Sequence, residues 1–265
     1  NGGYALDRDA GVWAWGANGD GRIGDGTAGD RYVPVRVKAL ANVTAISAKW
    51  AHALALKRDG TVWGWGANSH GQLGDGTRTN RLEPVQVRGL KNIVAISAGD
   101  DFSAAVDASG DVWAWGTSMS GGVLADPNRL PGGKDMVAVS AGLWELLALK
   151  KDGTVWSCSW AMQQPRMTKI DGLDSVRAVA AGHSFSMALK TEGSVWVWGD
   201  LKAAWRGLDP TKLVGPLKQV APAGNMPEDL FRARREANRI VYRVRTLDGK
   251  HAVAIDAASR AIVLL

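Results

Sequence analysis

Apolar residues in this chain come in short runs separated by turn residues. Ala53-Leu54-Ala55-Leu56 is followed by Arg58-Asp59-Gly60, then by Val62-Trp63-Gly64-Trp65, which stops at Gly66. Runs this short, aromatic and glycine-bounded predict β-strands, and Arg58-Asp59-Gly60 predicts the turn between them. Alternation puts Trp63 and Trp65 on one face of the strand and Val62 and Gly64 on the other. Neither face is polar, so the strand is expected to be covered on both sides.

The hairpin recurs. Leu6 leads to Val12-Trp13-Ala14-Trp15-Gly16, Val106 to Val112-Trp113-Ala114-Trp115-Gly116, Leu149 to Val155-Trp156, and Leu189 to Val195-Trp196-Val197-Trp198-Gly199. A faded copy without tryptophan runs from Ile255 to Ala261-Ile262-Val263-Leu264. A fixed repeat decides the fold before any single motif does. The two best copies add a loop, Gly16 to Thr27 and Gly66 to Thr77, then Val33-Pro34-Val35 or Glu83-Pro84-Val85, then Val43-Thr44-Ala45-Ile46-Ser47-Ala48 or Ile93-Val94-Ala95-Ile96-Ser97-Ala98. One unit therefore holds four short strands, which is one blade of a β-propeller. The proline suits a strand start or an exposed edge. The expected fold is all-β: a propeller of four-stranded blades, about six of them visible.

Later units shorten, and the Gly-Asp-Gly-Thr loop disappears from them. Trp156-Ser157-Cys158-Ser159-Trp160 replaces the usual W-x-W-G, so the outer part of that blade is expected to be altered. After Gly199 the pattern lapses. Met226-Pro227-Glu228-Asp229 reads as a helix start, giving a short helical insertion near 227–239, and Ile240 to Arg245 and His251 to Ile255 return to strands. The chain is read as one propeller domain over 1–265, with clear repeats over 1–199 and a divergent basic segment over 200–265.

Composition changes this picture little, but charge does. Residues 1–200 hold 20 basic and 20 acidic side chains, so the net charge of +6 belongs to the last quarter. Cys158 is the only cysteine, which removes a disulfide framework and a thiolate zinc cluster. No apolar run approaches a membrane span of about 18 residues, no signal peptide is visible, and no membrane contact is expected. The chain opens inside a repeat, which suggests a longer protein.

The pattern A-G-x-x-H-x-L-A-L-x-x-D-G-x-V-W-x-W-G-x-N-x-x-G-Q-L-G-D-G-T, followed by P-x-x-V and V-x-x-I-x-A, resembles the regulator of chromosome condensation repeat family. It is most complete at residues 48–98, clear over 1–199 and weak over 240–265. This chain looks like a divergent, bacterial-type member. The resemblance implies a propeller, typically seven-bladed, of which this chain is a part. Relatives include a nucleotide-exchange factor for a small GTPase that also binds chromatin, a plant ultraviolet-B photoreceptor and a bacterial β-lactamase inhibitor protein. What they share is a binding face made of loops, so the fold is strongly indicated and the function weakly.

Carried over residue by residue, one loop of that face follows each inner strand. Its positions here are Lys49, Trp50, Asp100, Asp101, Leu143, Trp144, Glu145, His183 and Ser184, with Phe102 and Phe185 beside them. Aromatics mixed with charges are what protein interfaces use as anchors. The plainer reading is that Phe102 and Phe185 fill gaps between blades. The six arginines Arg232, Arg234, Arg235, Arg239, Arg243 and Arg245 could bind phosphates of nucleic acid, or could simply keep a solvated helix and strand edge soluble.

Other chemistry is weaker. The paired tryptophans read as core rather than as a light sensor, since the photoreceptor's Gly-Trp-Arg-His-Thr repeats are absent. Gly24-Asp25-Gly26 lacks the bidentate acid of a calcium loop and the following helix of a phosphate loop. His52, His70, His183 and His251 are scattered, and no nucleophile elbow occurs. No metal or cofactor is expected, and a non-catalytic scaffold that binds another protein is the leading expectation. Nucleic-acid or chromatin binding through 232–245, and guanine-nucleotide exchange on a small GTPase by family analogy, are the alternatives.

Overall fold

Each predicted hairpin lies in the middle of a small antiparallel sheet. The computed structural model describes residues 2–117, 122–159, 165–183, 185–199 and 218–221. Among these, every regular element is a strand. Blade one holds β1 (Gly3–Leu6), β2 (Val12–Gly16) and β3 (Arg31–Arg36); blade two holds β4 (Val43–Lys49), β5 (His52–Lys57), β6 (Val62–Gly66) and β7 (Arg81–Gln86). Blade three holds β8 (Ile93–Ala98), β9 (Phe102–Asp107), β10 (Val112–Thr117) and β11 (Val123–Arg129). Blade four holds β12 (Met136–Ala141), β13 (Glu145–Lys150), β14 (Val155–Ser159) and β15 (Thr168–Lys169). Blade five holds β16 (Val176–Ala181), β17 (Phe185–Lys190), β18 (Val195–Gly199) and β19 (Lys218–Ala221). Strands pair in chain order within each blade. The inner strands β4, β8, β12 and β16 lie side by side around a central channel. The helix expected at 227–239 and the faded sixth hairpin lie outside the described residues.

The core sits between blades. One apolar cluster joins blades one and two through Val12, Ile23, Ala55 and Trp65. A second joins blades two and three through Leu54, Val87 and Trp115, and equivalents join three to four and four to five. This answers the two-sided apolar strand: blades two, three and four are each buried against a neighbour on both faces.

In blades two and three the two tryptophans of the pair differ. Trp65 and Trp115 are fully buried. Their indole N–H groups donate to carbonyls of the preceding blade's loop, Arg22 O at 2.9 Å and Gln72 O at 2.8 Å. Gly24 and Gly74 lie beneath those rings, with φ of +77° and +64°, and a Cβ there would come within 2.8 Å of the indole. The first tryptophans, Trp63 and Trp113, are only half-buried. They donate to the hairpin turn, Trp63 Nε1 to Thr61 Oγ1 at 3.2 Å and Trp113 Nε1 to Asp107 Oδ2 at 2.9 Å. Alternation placed both on one face; the preceding blade's loop covers only the second.

Two details concern the outer strands. Pro34 and Pro84 lie inside β3 and β7, opposite bulges between Ala14 and Gly16 and between Gly64 and Gly66. The outermost strand has no further partner on its free side, so proline costs no ladder hydrogen bond there. In blade four Cys158 occupies the place of Trp65, and the outer strand β15 shrinks to two residues.

Candidate functional site

The loops after the inner strands gather at one mouth of the channel. Lys49 ends β4 and is buried. Its ammonium donates to Ala141 O of blade four at 3.1 Å, reaches Ala181 O of blade five at 3.5 Å, and pairs with Asp100 Oδ1 of blade three at 3.5 Å. One side chain thus ties four blades. A buried ammonium is tolerated only with a counter-charge and hydrogen-bond acceptors. Asp100 supplies the charge, and two strand-end carbonyls supply the acceptors. His183 Nδ1 lies 3.4 Å from the other Asp100 oxygen, with its ring mostly exposed.

The remaining positions form a rim around this knot. Trp50 is 64% exposed and Trp144 41% exposed. Leu143 and Asp101 are half-buried, and Asp101 Oδ1 lies 3.3 Å from His70 Nδ1 of the neighbouring blade. Trp50 has a φ of +50°, the left-handed region in which a bulky side chain is a real outlier. Its carbonyl accepts from Arg22 Nη1 at 3.3 Å. Ser184 and the arginines at 232, 234, 235, 239, 243 and 245 lie outside the described residues.

A second ring of positions sits just below the rim, where each second strand begins. His52, Phe102, Glu145 and Phe185 are equivalents there, as their pairing with the end of the third strand shows. Phe102 and Phe185 are buried, and Phe102 packs in the cluster between blades three and four. His52 Nε2 lies 2.9 Å from Ser103 Oγ, whose hydrogen goes to Gln72 O at 2.8 Å. His52 must therefore donate from Nε2, leaving Nδ1 bare. Burial, then the nearby Lys49 charge, pushes its pKa down to about 3. Glu145 repeats the motif between blades four and five: Oε2 accepts from Ser186 Oγ at 2.6 Å, and burial raises its pKa.

None of this is arranged for acid–base or nucleophilic work. His52 is held neutral well below neutral pH, and burial pushes the Cys158 thiol up to about 12. The Gly-Asp-Gly-Thr loops satisfy themselves: Asp75 accepts from the Thr77 N–H and hydroxyl and from Arg81 Nε. Asn68, buried, donates to Thr77 O and Thr79 O and accepts from the Leu73 N–H. Among the described residues no group of three His, Cys, Asp or Glu could hold a metal. No helix there is long and apolar enough to cross a membrane.

Sequence profiles of the regulator of chromosome condensation (RCC1) repeat match residues 9–56 and 59–106, and in a second form residues 43–72, 93–121 and 176–200. The chain belongs to this family. Each of the first two matched stretches runs from the last two strands of one blade into the first two of the next. The chain is similar in structure to Prp20p from Saccharomyces cerevisiae, with a TM-score of 0.70 at 21% identity over 83% of this chain and 61% of that one. It is similar to yeast Prp20 bound to Kap60, with a TM-score of 0.68 at 20% identity over 89% of this chain and 67% of that one. Human WBSCR16 gives a TM-score of 0.67 at 22% identity over 80% and 62%. The chain thus spans only about 61% of the length of the first of these relatives. Identities this low establish the RCC1 fold and nothing finer. A comparison with curated protein sequences returns no match.

The sequence pointed to the rim but not to the knot beneath it. Lys49 and Asp100, read as partner contacts, instead bond each other from within. The serine ladder between inner strands also went unread as a contact. Its signal was the recurring serine of V-x-A-I-S-A.

Proposed function

We propose that this RCC1-repeat protein is a non-catalytic scaffold that binds another protein through the loop rim, with Trp50 and Trp144 as anchors. The observation that carries this is Trp50: a bulky aromatic, mostly exposed, in a left-handed backbone conformation on a rigid base. Such conformations cost on the order of 1–3 kcal/mol and tend to mark binding and catalytic sites. Large rigid aromatics anchor interfaces at small entropic cost. The Lys49–Asp100 knot fixes the strand ends that carry the rim, so little ordering remains for binding. Asp101, His70 and His183 surround the anchors with polar groups, as interface rims do. Prp20p was studied for its binding to Gsp1p and histones, and Prp20 was crystallised with Kap60, so partners of related folds are themselves proteins.

Affinity capture followed by titration of the recovered protein tests this reading. Trp50→Ala with Trp144→Ala should weaken binding by about 30-fold or more, the sum of two anchor losses of about 1–2 kcal/mol each. Unchanged affinity in that variant would remove the proposal. Guanine-nucleotide exchange on a small GTPase rests on family likeness alone, and a nucleotide-release assay distinguishes it from simple binding.

A further inference from the structure

Each inner strand ends at the rim, so its first residues lie at the far mouth of the channel. There every inner strand opens with a bulge, and the extra residues are Thr44, Val94, Val137 and Arg177. All four are exposed. A serine ladder holds the strands in step: Ser47 Oγ accepts from the Ala98 N–H at 2.9 Å, Ser97 Oγ from the Ala141 N–H at 2.9 Å, and Ser140 Oγ from the Ala181 N–H at 2.8 Å. The bulged residues therefore stand side by side in an arc from blade two to blade five. Bulges re-aim side chains, and here they turn two valines outward. Val94 is 52% exposed and Val137 46%. They belong to blades three and four, each packed against a described neighbour on both faces, so their exposure is not that of a blade at the end of the row.

Charge at this mouth is divided unevenly. The acids are engaged locally. Asp59 and Asp152 accept from Thr61 and Thr154 of their own hairpin turns. Lys150 lies 3.9 Å from Asp135 and 3.6 Å from Asp152, and Lys190 donates to Asp174 at 3.1 Å. Three exposed cations are not engaged: among the described residues no acid pairs with Arg58, Lys151 or Arg177. The backbone N–H groups of Arg58 and Lys151 donate to Asn42 O at 2.8 Å and Asp135 O at 3.0 Å, which seats both residues beside the bulges of their blades. An open groove of about 490 Å³, lined by Asp59, Thr61, Arg88, Lys91 and Asn92 among others, adjoins the arc two residues from Val94. Its cations Arg88 and Lys91 are exposed, and its one lining acid is the engaged Asp59.

We propose that the far mouth is a second interaction surface, and that it takes an extended segment of another polypeptide rich in acidic and aliphatic residues. Aliphatic side chains of the guest lie on Val94 and Val137. Its carboxylates meet Arg58, Lys151 and Arg177, and a longer segment continues into the groove toward Lys91 and Arg88. Complementary charge selects the partner and speeds encounter, while burial of the two valines adds apolar contact. Valines set among the cations favour a polypeptide over a phosphate backbone, which offers charge to the cations and nothing apolar to the valines. The last quarter of this chain carries its basic excess, so an acidic guest comes from another chain. The surface lies at the opposite end of the channel from Trp50 and Trp144 and does not depend on them.

The probe is a fluorescein-labelled decapeptide of alternating glutamate and leucine, titrated against the full chain by anisotropy. Saturable binding that weakens as salt is raised is expected. Peptides with glutamine in place of glutamate, or serine in place of leucine, should each bind at least about 10-fold more weakly. On the protein, Arg58→Gln, Lys151→Gln and Arg177→Gln together should lower affinity about 10-fold with an unchanged melting midpoint, three surface charge pairs acting at once. Trp50→Ala with Trp144→Ala should leave the peptide's affinity unchanged. Thiol labelling reads the surface directly, because Cys158 is buried. The Val94→Cys variant should react quickly with a maleimide in the chain alone and slowly with the peptide bound. The proposal is overturned if the glutamate–leucine peptide does not bind up to about 1 mM, if the glutamine peptide binds equally, or if a single-stranded oligodeoxythymidine binds this surface more tightly than the peptide. It is also overturned if the Val94→Cys variant is unreactive in the chain alone, which would mean that the chain covers this mouth itself.

Discussion

Trp65 and Trp50 stand fifteen residues apart in one blade and have opposite roles. Trp65 is wholly enclosed, its indole N–H taken by the preceding blade and its ring seated on Gly24. Trp50 stands mostly in solvent, with a backbone conformation its side chain disfavours. The first arrangement spends the aromatic surface on folding. The second keeps it available at a cost to folding. Residue type alone separates neither role; what separates them is whether the preceding blade's loop covers the ring.

The comparison can be broken most strongly at Trp65. Trp65→Ala should destabilise the chain by about 3–5 kcal/mol, since it empties an interblade cluster and strands the Arg22 carbonyl. Trp63→Ala should cost clearly less, because Trp63 is half-buried and partly engaged by the Lys57 ammonium 5.3 Å from its ring. Urea unfolding of the two variants checks the order, and equal costs would contradict the division of labour within this pair.

Next in size is the knot under the rim. Lys49→Met should cost about 3 kcal/mol, because it takes the ammonium counter-charge from the buried Asp100. Adding Asp100→Asn should recover part of that loss, a coupling that a double-mutant cycle reads directly. Independent, additive losses would show that the two side chains do not act as a pair.

A smaller effect depends on pH. His52 titrates at about 6.5 when unfolded and about 3 when folded. A base with a lowered folded pKa binds fewer protons in the native state, so its contribution is present above about pH 6.5 and is lost as pH falls toward 3. His52→Phe should therefore flatten the acid side of the stability curve between those values. Asp75 adds to the decline near the bottom of this window. Burial raises its pKa, but the Thr77 and Arg81 hydrogen bonds outweigh that and lower it, so its contribution is lost as it protonates. Glu145 acts in the opposite sense. Its pKa is raised, so Glu145→Gln should be more stable than the parent at neutral pH, and thermal melts across pH check both signs.

The sequence was most informative where local chemistry repeats. Hairpins and blade membership follow from short runs bounded by glycine, whereas the rim positions came from the family resemblance. The contacts between blades were less legible, because they join residues some 40 to 130 positions apart. Lys49 meeting Ala181 O is one such contact, and Ser140 meeting Ala181 N–H is another. A lysine beside a tryptophan at a loop start reads as surface chemistry; only the convergence of four inner strands turns it inward. Blade four shows the converse. The lapse at Trp156-Ser157-Cys158 foretold a reduced outer strand, because Cys158 cannot fill the volume that Trp65 fills in blade two.

Trp50→Gly is the most direct test of the central claim. Glycine relieves the left-handed backbone at that position and removes the anchor in one change. Thermal unfolding and partner titration of this single variant should diverge, with a midpoint equal to or above the parent's and affinity weaker by about 10-fold or more. A lowered midpoint with affinity intact would place Trp50 in the scaffold and contradict the account.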